Sequence, residues 1–178
     1  MSPTPFSRAA CRWRLSVGHT CARIVLGLIL ACVAGTGRAA VQGVRVVDIV
    51  NVSLAGDETA HSLTAAGSTQ GLAAGRTWRS ASEWFSYSLR IYDDSPLTLV
   101  CVLADGEGSR ESFDILVDGR KAATCTRESH ESKVSEVRFS LPLAETAGKT
   151  AVTVRFQAHP GFRTARLLEV RSVQEHLE

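Results

Sequence analysis

Residues 83–91 read Glu83-Trp84-Phe85-Ser86-Tyr87-Ser88-Leu89-Arg90-Ile91. Phe85, Tyr87, Leu89 and Ile91 recur at every second position, with Ser86, Ser88 and Arg90 between them. Side chains of an extended chain point alternately to opposite faces, so this spacing gives a strand one apolar face; a helix would need a spacing near 3.6. Moving outward, Asp93-Asp94-Ser95-Pro96 reads as a turn, because proline fixes its own φ and Asp and Ser bond the neighbouring backbone. Leu97–Leu103 is apolar on both faces, like a central sandwich strand. Residues 112–118 put Phe113, Ile115 and Val117 on one face and Asp114 on the other. Asp118-Gly119 then signals a tight hairpin, whose two central residues need positive φ.

Residues 121–127 form the returning strand, and 136–141 alternate Val137, Phe139 and Leu141 before Pro142 stops them. Residues 144–149 read as a turn, and 150–159 turn Val152, Val154, Phe156 and Ala158 inward. Pro160-Gly161 breaks that strand, 166–173 is the last one, and 174–178 is a polar tail. On the N-terminal side, 44–54 is β-branched and reads as a first strand, while 55–75, rich in Gly, Ala, Ser and Thr, reads as a long connection carrying His61. About eight strands with close turn signals and no convincing helix predict an all-β fold: two antiparallel sheets packed as a jelly-roll-like sandwich.

The 178 residues carry 20 basic and 18 acidic side chains, unevenly placed. Residues 1–40 hold Arg8, Arg12, Arg14, Arg23 and Arg38 and no acid, which leaves the rest of the chain with 15 basic and 18 acidic groups. A mildly acidic domain without Lys/Arg blocks is a poor nucleic-acid binder, since phosphates need clustered cations. Four arginines, the apolar run 24–35 and small residues up to Ala39 have the layout of a secretory signal peptide over 1–39, ahead of a domain at 41–173. The run is too short for a membrane span of about 20 residues. A second reading takes Ile29-Leu30-Ala31-Cys32 as a lipoprotein box with Cys32 lipidated. Either way the protein is expected to be exported, to the periplasm or beyond. Cys101 and Cys125 then remain, either as a disulfide or as buried thiols; if the strands 97–103 and 121–127 flanked 112–118, they would be too far apart to bond.

Several stretches in order carry a family likeness: His61; 75–81 (GRTWRSA); 84–89 (WFSYSL); 113–119 (FDILVDG); 121–124 (KAAT); and 152–161 (VTVRFQAHPG). The chain resembles the C-terminal substrate-binding β-sandwich of the β-L-arabinofuranosidase group of glycoside hydrolases (family 146 type). In that group the chemistry belongs to a separate helical barrel. The resemblance therefore implies a free-standing, non-catalytic, carbohydrate-binding-module-like domain for glycans, arabinose-containing ones in particular. The alternative is a docking module for a separately encoded glycoside hydrolase or envelope protein, which an exposed apolar patch near residues 162–168 would favour. Two departures from the family pattern, Ser82-Glu83 in place of Gly-Gly and Arg163–Leu168 in place of a glycine-rich segment, are expected in loops that touch the barrel or a ligand.

Trp78 and Trp84 are the candidate sugar-stacking rings, because an aromatic face suits the C–H face of a sugar. Arg76, Arg79 and His61 are the candidate hydrogen-bonding partners. His159 reads as the anchor of the Pro160-Gly161 turn and Tyr92 as a sheet-rim residue. No catalytic residue, cofactor or metal ligand set is expected: no carboxylate pair, nucleophile elbow, zinc motif or phosphate loop can be read, and a calcium at Asp105-Gly106-Glu107-Gly108 would be structural.

Overall fold

A computed structural model describes residues 42–73, 75–106, 110–128 and 134–177. The signal peptide at 1–39, with Cys32, lies outside the described residues, as do loop residues 107–109 and Glu178. The chain runs β1 (Gln42–Asn51), α1 (Asp57–Ala60), β2 (Thr64–Ala73), β3 (Arg76–Arg90), β4 (Leu97–Ala104), β5 (Arg110–Val117), β6 (Arg120–Glu128), β7 (Val134–Leu141), α2 (Leu143–Thr146), β8 (Ala151–Ala158) and β9 (Arg166–Leu177). Both helices are single turns of four residues.

The named strand pairs are all antiparallel. One layer is β6-β5-β8-β3, and the other is β7-β4-β9-β1. They are joined where Arg79 of β3 meets Leu167 of β9. The C-terminal half of β3 pairs with β8 over Trp84–Arg90, while its N-terminal half reaches β9, so β3 passes from one layer to the other. β2 follows β3 along its other edge, with a register shift between Ala66 and Ser68. Gly67 sits in that shift at φ +59, a left-handed conformation that glycine adopts without a Cβ penalty.

Side chains from both layers meet in one core. Phe85, Tyr87 and Leu89 of β3, Leu99 and Leu103 of β4, Phe113 and Ile115 of β5, Val154 and Phe156 of β8, and Leu167 of β9 are buried together. Phe85 stacks on Phe156 with ring centroids 4.9 Å apart. Each such side chain stabilises the fold by roughly 1.5–3 kcal/mol relative to exposure. The Asp118-Gly119 hairpin forms as expected, with φ +49 and +78. Cys101 and Cys125 are both buried in this core, on β4 in one layer and β6 in the other.

Three readings of the sequence need correction, the first being that Ser82-Glu83, expected in a loop, lies within β3. The connection at 55–75 contains α1 and the ten-residue β2. The polar tail from Gln174 is the end of β9. Gln174 is buried; its carbonyl accepts from Tyr92 N at 2.6 Å and its amide donates to Tyr92 O and Ser95 O at 2.8 Å. Its two amide protons and its carbonyl oxygen are all engaged within the fold, which offsets the cost of burying a polar side chain.

Candidate functional site

Four of the five candidate residues lie on β3 and His61 ends α1, and the structure separates them. Arg79 faces the core, opposite in sense to Trp78 and Ser80. Its guanidinium grips Glu58 of α1 through Nε–Oε1 at 2.6 Å and Nη2–Oε2 at 2.8 Å. Glu58 also accepts from Tyr87 Oη at 2.5 Å and Gln70 Nε2 at 2.7 Å. Burial works against its charge, but these donors outweigh it and hold the carboxyl below its ordinary value. Arg79 is thus committed to tying α1 to the sandwich. Arg76 pairs with Glu169 of β9 at 3.1 Å. His61 closes α1: Nδ1 meets Asp57 O at 2.7 Å, and Nε2 meets Asp48 Oδ1 at 3.3 Å. Asp48 in turn accepts from Arg90 N at 2.8 Å. Burial disfavours His61 protonation, yet the Asp57 carbonyl and the two carboxylates prevail and raise its pKa. Trp84 lies on the β8 half of β3, where Arg155 covers its ring 3.8 Å from the centroid. A sugar would find that face taken.

Trp78 is placed differently. It lies on the outer side of the other layer, over Val102, Ala104 and Leu168. Gly71, its partner on β2, leaves room for the ring: a Cβ there would come within 2.4 Å of it. Arg166 lies over the ring at 4.8 Å, in a notch left by Gly106, where a Cβ would fall 2.6 Å from the guanidinium carbon. Trp78 Nε1 is buried with no hydrogen-bond partner among the described residues. An orphaned buried donor costs about 1–3 kcal/mol.

Around Trp78 opens a cleft of about 310 Å³. β2 supplies Thr69, β3 supplies Ser80, the start of β5 supplies Arg110 and Glu111, and the segment entering β9 supplies Arg163, Thr164 and Arg166. That segment is held by backbone: Thr164 N donates to Ala81 O at 2.9 Å, and Ser112 N to Arg163 O at 3.2 Å. Ser80 Oγ donates to Thr164 O at 2.8 Å, and Arg163 Nη2 to Thr69 Oγ1 at 2.8 Å. Thr69 Oγ1 keeps a proton to donate, whereas Ser80 is buried and its Oγ also lies 3.5 Å from Thr164 Oγ1. Of the five candidates, Trp78 alone is in the lining. Arg163 and Arg166 were not among them, although their segment stands out in the sequence as a departure from the family pattern.

A profile described as a family of unknown function, DUF6805, matches residues 43–173, well over half of the chain. The chain belongs to the DUF6805 family. Among curated proteins none matches this DUF6805 chain. Solved structures similar to it include a family 35 carbohydrate-binding module from Clostridium thermocellum, at 10% identity and TM-score 0.47, covering 62% of this chain and 90% of that one. The carbohydrate-binding module CBM36 in complex with calcium and xylotriose aligns at 8% identity and TM-score 0.44, over 65% of this chain and 95% of that one. An exo-β-1,3-galactanase from Phanerochaete chrysosporium with galactose aligns at 10% and 0.47, over 75% of this chain but 29% of its own. These scores are too low to carry function across, and none of the three is the β-L-arabinofuranosidase domain that the sequence resembles.

Elsewhere on the DUF6805 sandwich, His159 anchors its turn: Nδ1 meets Ser112 Oγ at 2.9 Å and Nε2 meets Asp114 Oδ1 at 3.1 Å. The order serine, histidine, aspartate resembles a hydrolytic relay, but Ser112 is buried, and a nucleophile must be reachable by its substrate. Among the described residues no three His, Cys, Asp or Glu side chains gather as metal ligands, and no helix is long and apolar enough to cross a membrane.

Proposed function

We propose that this domain is a non-catalytic glycan-binding module, exported behind its N-terminal leader, with the Trp78 cleft as its site. The observation that carries the reading is the composition of that cleft: an indole, an arginine over its ring, and Ser and Thr hydroxyls around the same 310 Å³. Sugars offer C–H faces to aromatic and apolar surface and hydroxyls to polar groups, and pockets of about 300–1,000 Å³ suit small ligands. Arg166 occupies part of the ring face, so recognition depends on hydrogen bonds from its guanidinium edge, Thr69 and Ser80 as much as on stacking. Arabinose-containing oligosaccharides are the first class to test, given the sequence resemblance. The surroundings of Arg163 support this reading over a docking face, since Ala165, Leu167 and Leu168 are buried.

Calorimetric titration of the protein with arabinan and arabinogalactan oligosaccharides tests the proposal. Saturable heat at near-unit stoichiometry is expected, with a Kd of roughly millimolar to micromolar, about −4 to −8 kcal/mol. Trp78→Ala should abolish that heat and Trp84→Ala should leave it intact. Unchanged binding by a folded Trp78→Ala protein would remove the cleft from the account.

A further inference from the structure

The charge of the cleft narrows its ligand class. Resting on the glycan-binding reading, we infer that the cleft takes an acidic sugar, whose uronate carboxylate is held by Arg163 and Arg166. The lining has three guanidinium groups and one carboxylate. Arg110 is matched by Glu128 at 3.2 Å. Glu111 is buried and faces Arg127, 3.8 Å away, which also engages Asp105. The carboxylate is therefore withdrawn from solvent, while the other two cations have no acidic partner among the described residues. Arg163 is exposed and bonds a hydroxyl, Thr69 Oγ1, rather than an acid. Arg166 rests on the Trp78 ring in the notch left by Gly106. Neither meets a carboxylate among the described residues.

After residue 40 acids outnumber cations, 18 to 15. The planar fork of Arg matches a carboxylate with two parallel hydrogen bonds, and these charge-assisted bonds are about twice as strong as neutral ones. The contact of Arg166 with the indole orders it beforehand, so less freedom is lost on binding. A neutral pentose would offer hydroxyls alone and leave both charges without a counter-ion.

Trigalacturonate and its trimethyl ester differ only at the carboxylates and are the probes. Both are titrated into the protein at fixed ionic strength, alongside a neutral arabinotriose. The acid should bind at least about tenfold more tightly than the ester. Arg163→Gln should erase most of that preference, and Arg166→Gln should weaken the acid by a larger factor than the ester, which loses only the guanidinium's neutral hydrogen bonds. Trp78→Ala should weaken all three ligands. Arg166→Lys, which keeps charge without the fork, should retain part of the preference and guards against a folding defect in Arg166→Gln. Equal affinity for acid and ester, or a preference that survives in both Gln variants, would overturn the inference and leave the glycan reading standing. No binding of any of the three by folded protein would overturn both.

Discussion

At the scale of the residue, the cleft depends on two absent side chains. Gly71 and Gly106 make room for Trp78 and Arg166, and a methyl group at either would push into the ring or the guanidinium. Gly71→Ala should therefore lower stability by about 1–3 kcal/mol through overpacking and weaken glycan binding, both readable from denaturant melts and calorimetry of one protein. The Glu58–Arg79 pair predicts a larger loss. Glu58→Gln strips a buried guanidinium of its counter-charge and should cost about 3 kcal/mol in chemical denaturation, with the cleft's ligand affinity little changed. Titration follows the same groups. Glu58, Asp48 and Asp114 have folded pKa values below their ordinary 4.5, 3.8 and 3.8. Their stabilisation is present above those values and is lost as the pH falls through the lower folded ones. His61 is raised above its ordinary 6.5, so its contribution is full below 6.5 and is lost as the pH rises through the folded value. Stability should peak between about pH 4.5 and 6.5. His61→Gln should flatten the alkaline side of that profile; an unaltered slope above pH 6.5 would show that the histidine clamp contributes nothing.

At the scale of the element, what was legible follows from where apolar side chains go. β3, β5 and β8 declare themselves because every second residue enters the core. β2 does not. Leu72 is its one large apolar side chain and is exposed, so β2 is held by its backbone pairing with β3 and leaves no periodic trace. The end of β9 is similarly hidden, because Gln174 is buried through hydrogen bonds rather than apolar character. The site is split in the same way. Trp78 can be picked from sequence as an aromatic residue flanked by arginines, and Arg163 and Arg166 only as an interruption of a family pattern. Which of the local arginines face solvent is decided by strand parity and by α1, which claims Arg79 through a glutamate 21 residues away. The bend in the β2–β3 ribbon is testable at this scale. Gly67→Ala forces a side chain into φ +59 with its Cβ 2.7 Å from Ser82 Oγ. A loss of about 1–2 kcal/mol is expected in thermal melts. A wild-type midpoint would mean the ribbon can bend elsewhere.

At the scale of the molecule, one strand crossing between layers does two things. The C-terminal half of β3 supplies Phe85, Tyr87 and Leu89 to the common core, and its N-terminal half carries Trp78 to the outer side of the β4–β9 layer. There β2, the start of β5 and the segment entering β9 converge on the ring. The proposed binding surface thus draws on four chain regions of the sandwich, with Trp84 turned to the other layer under Arg155. The most direct test of this arrangement uses the indole N–H resonances of a ¹⁵N-labelled protein during titration with arabinan oligosaccharides and trigalacturonate. The account predicts that the Trp78 Nε1–H signal moves saturably while that of Trp84 stays in place. A shift confined to Trp84, or saturating binding that leaves Trp78 unmoved, would contradict it.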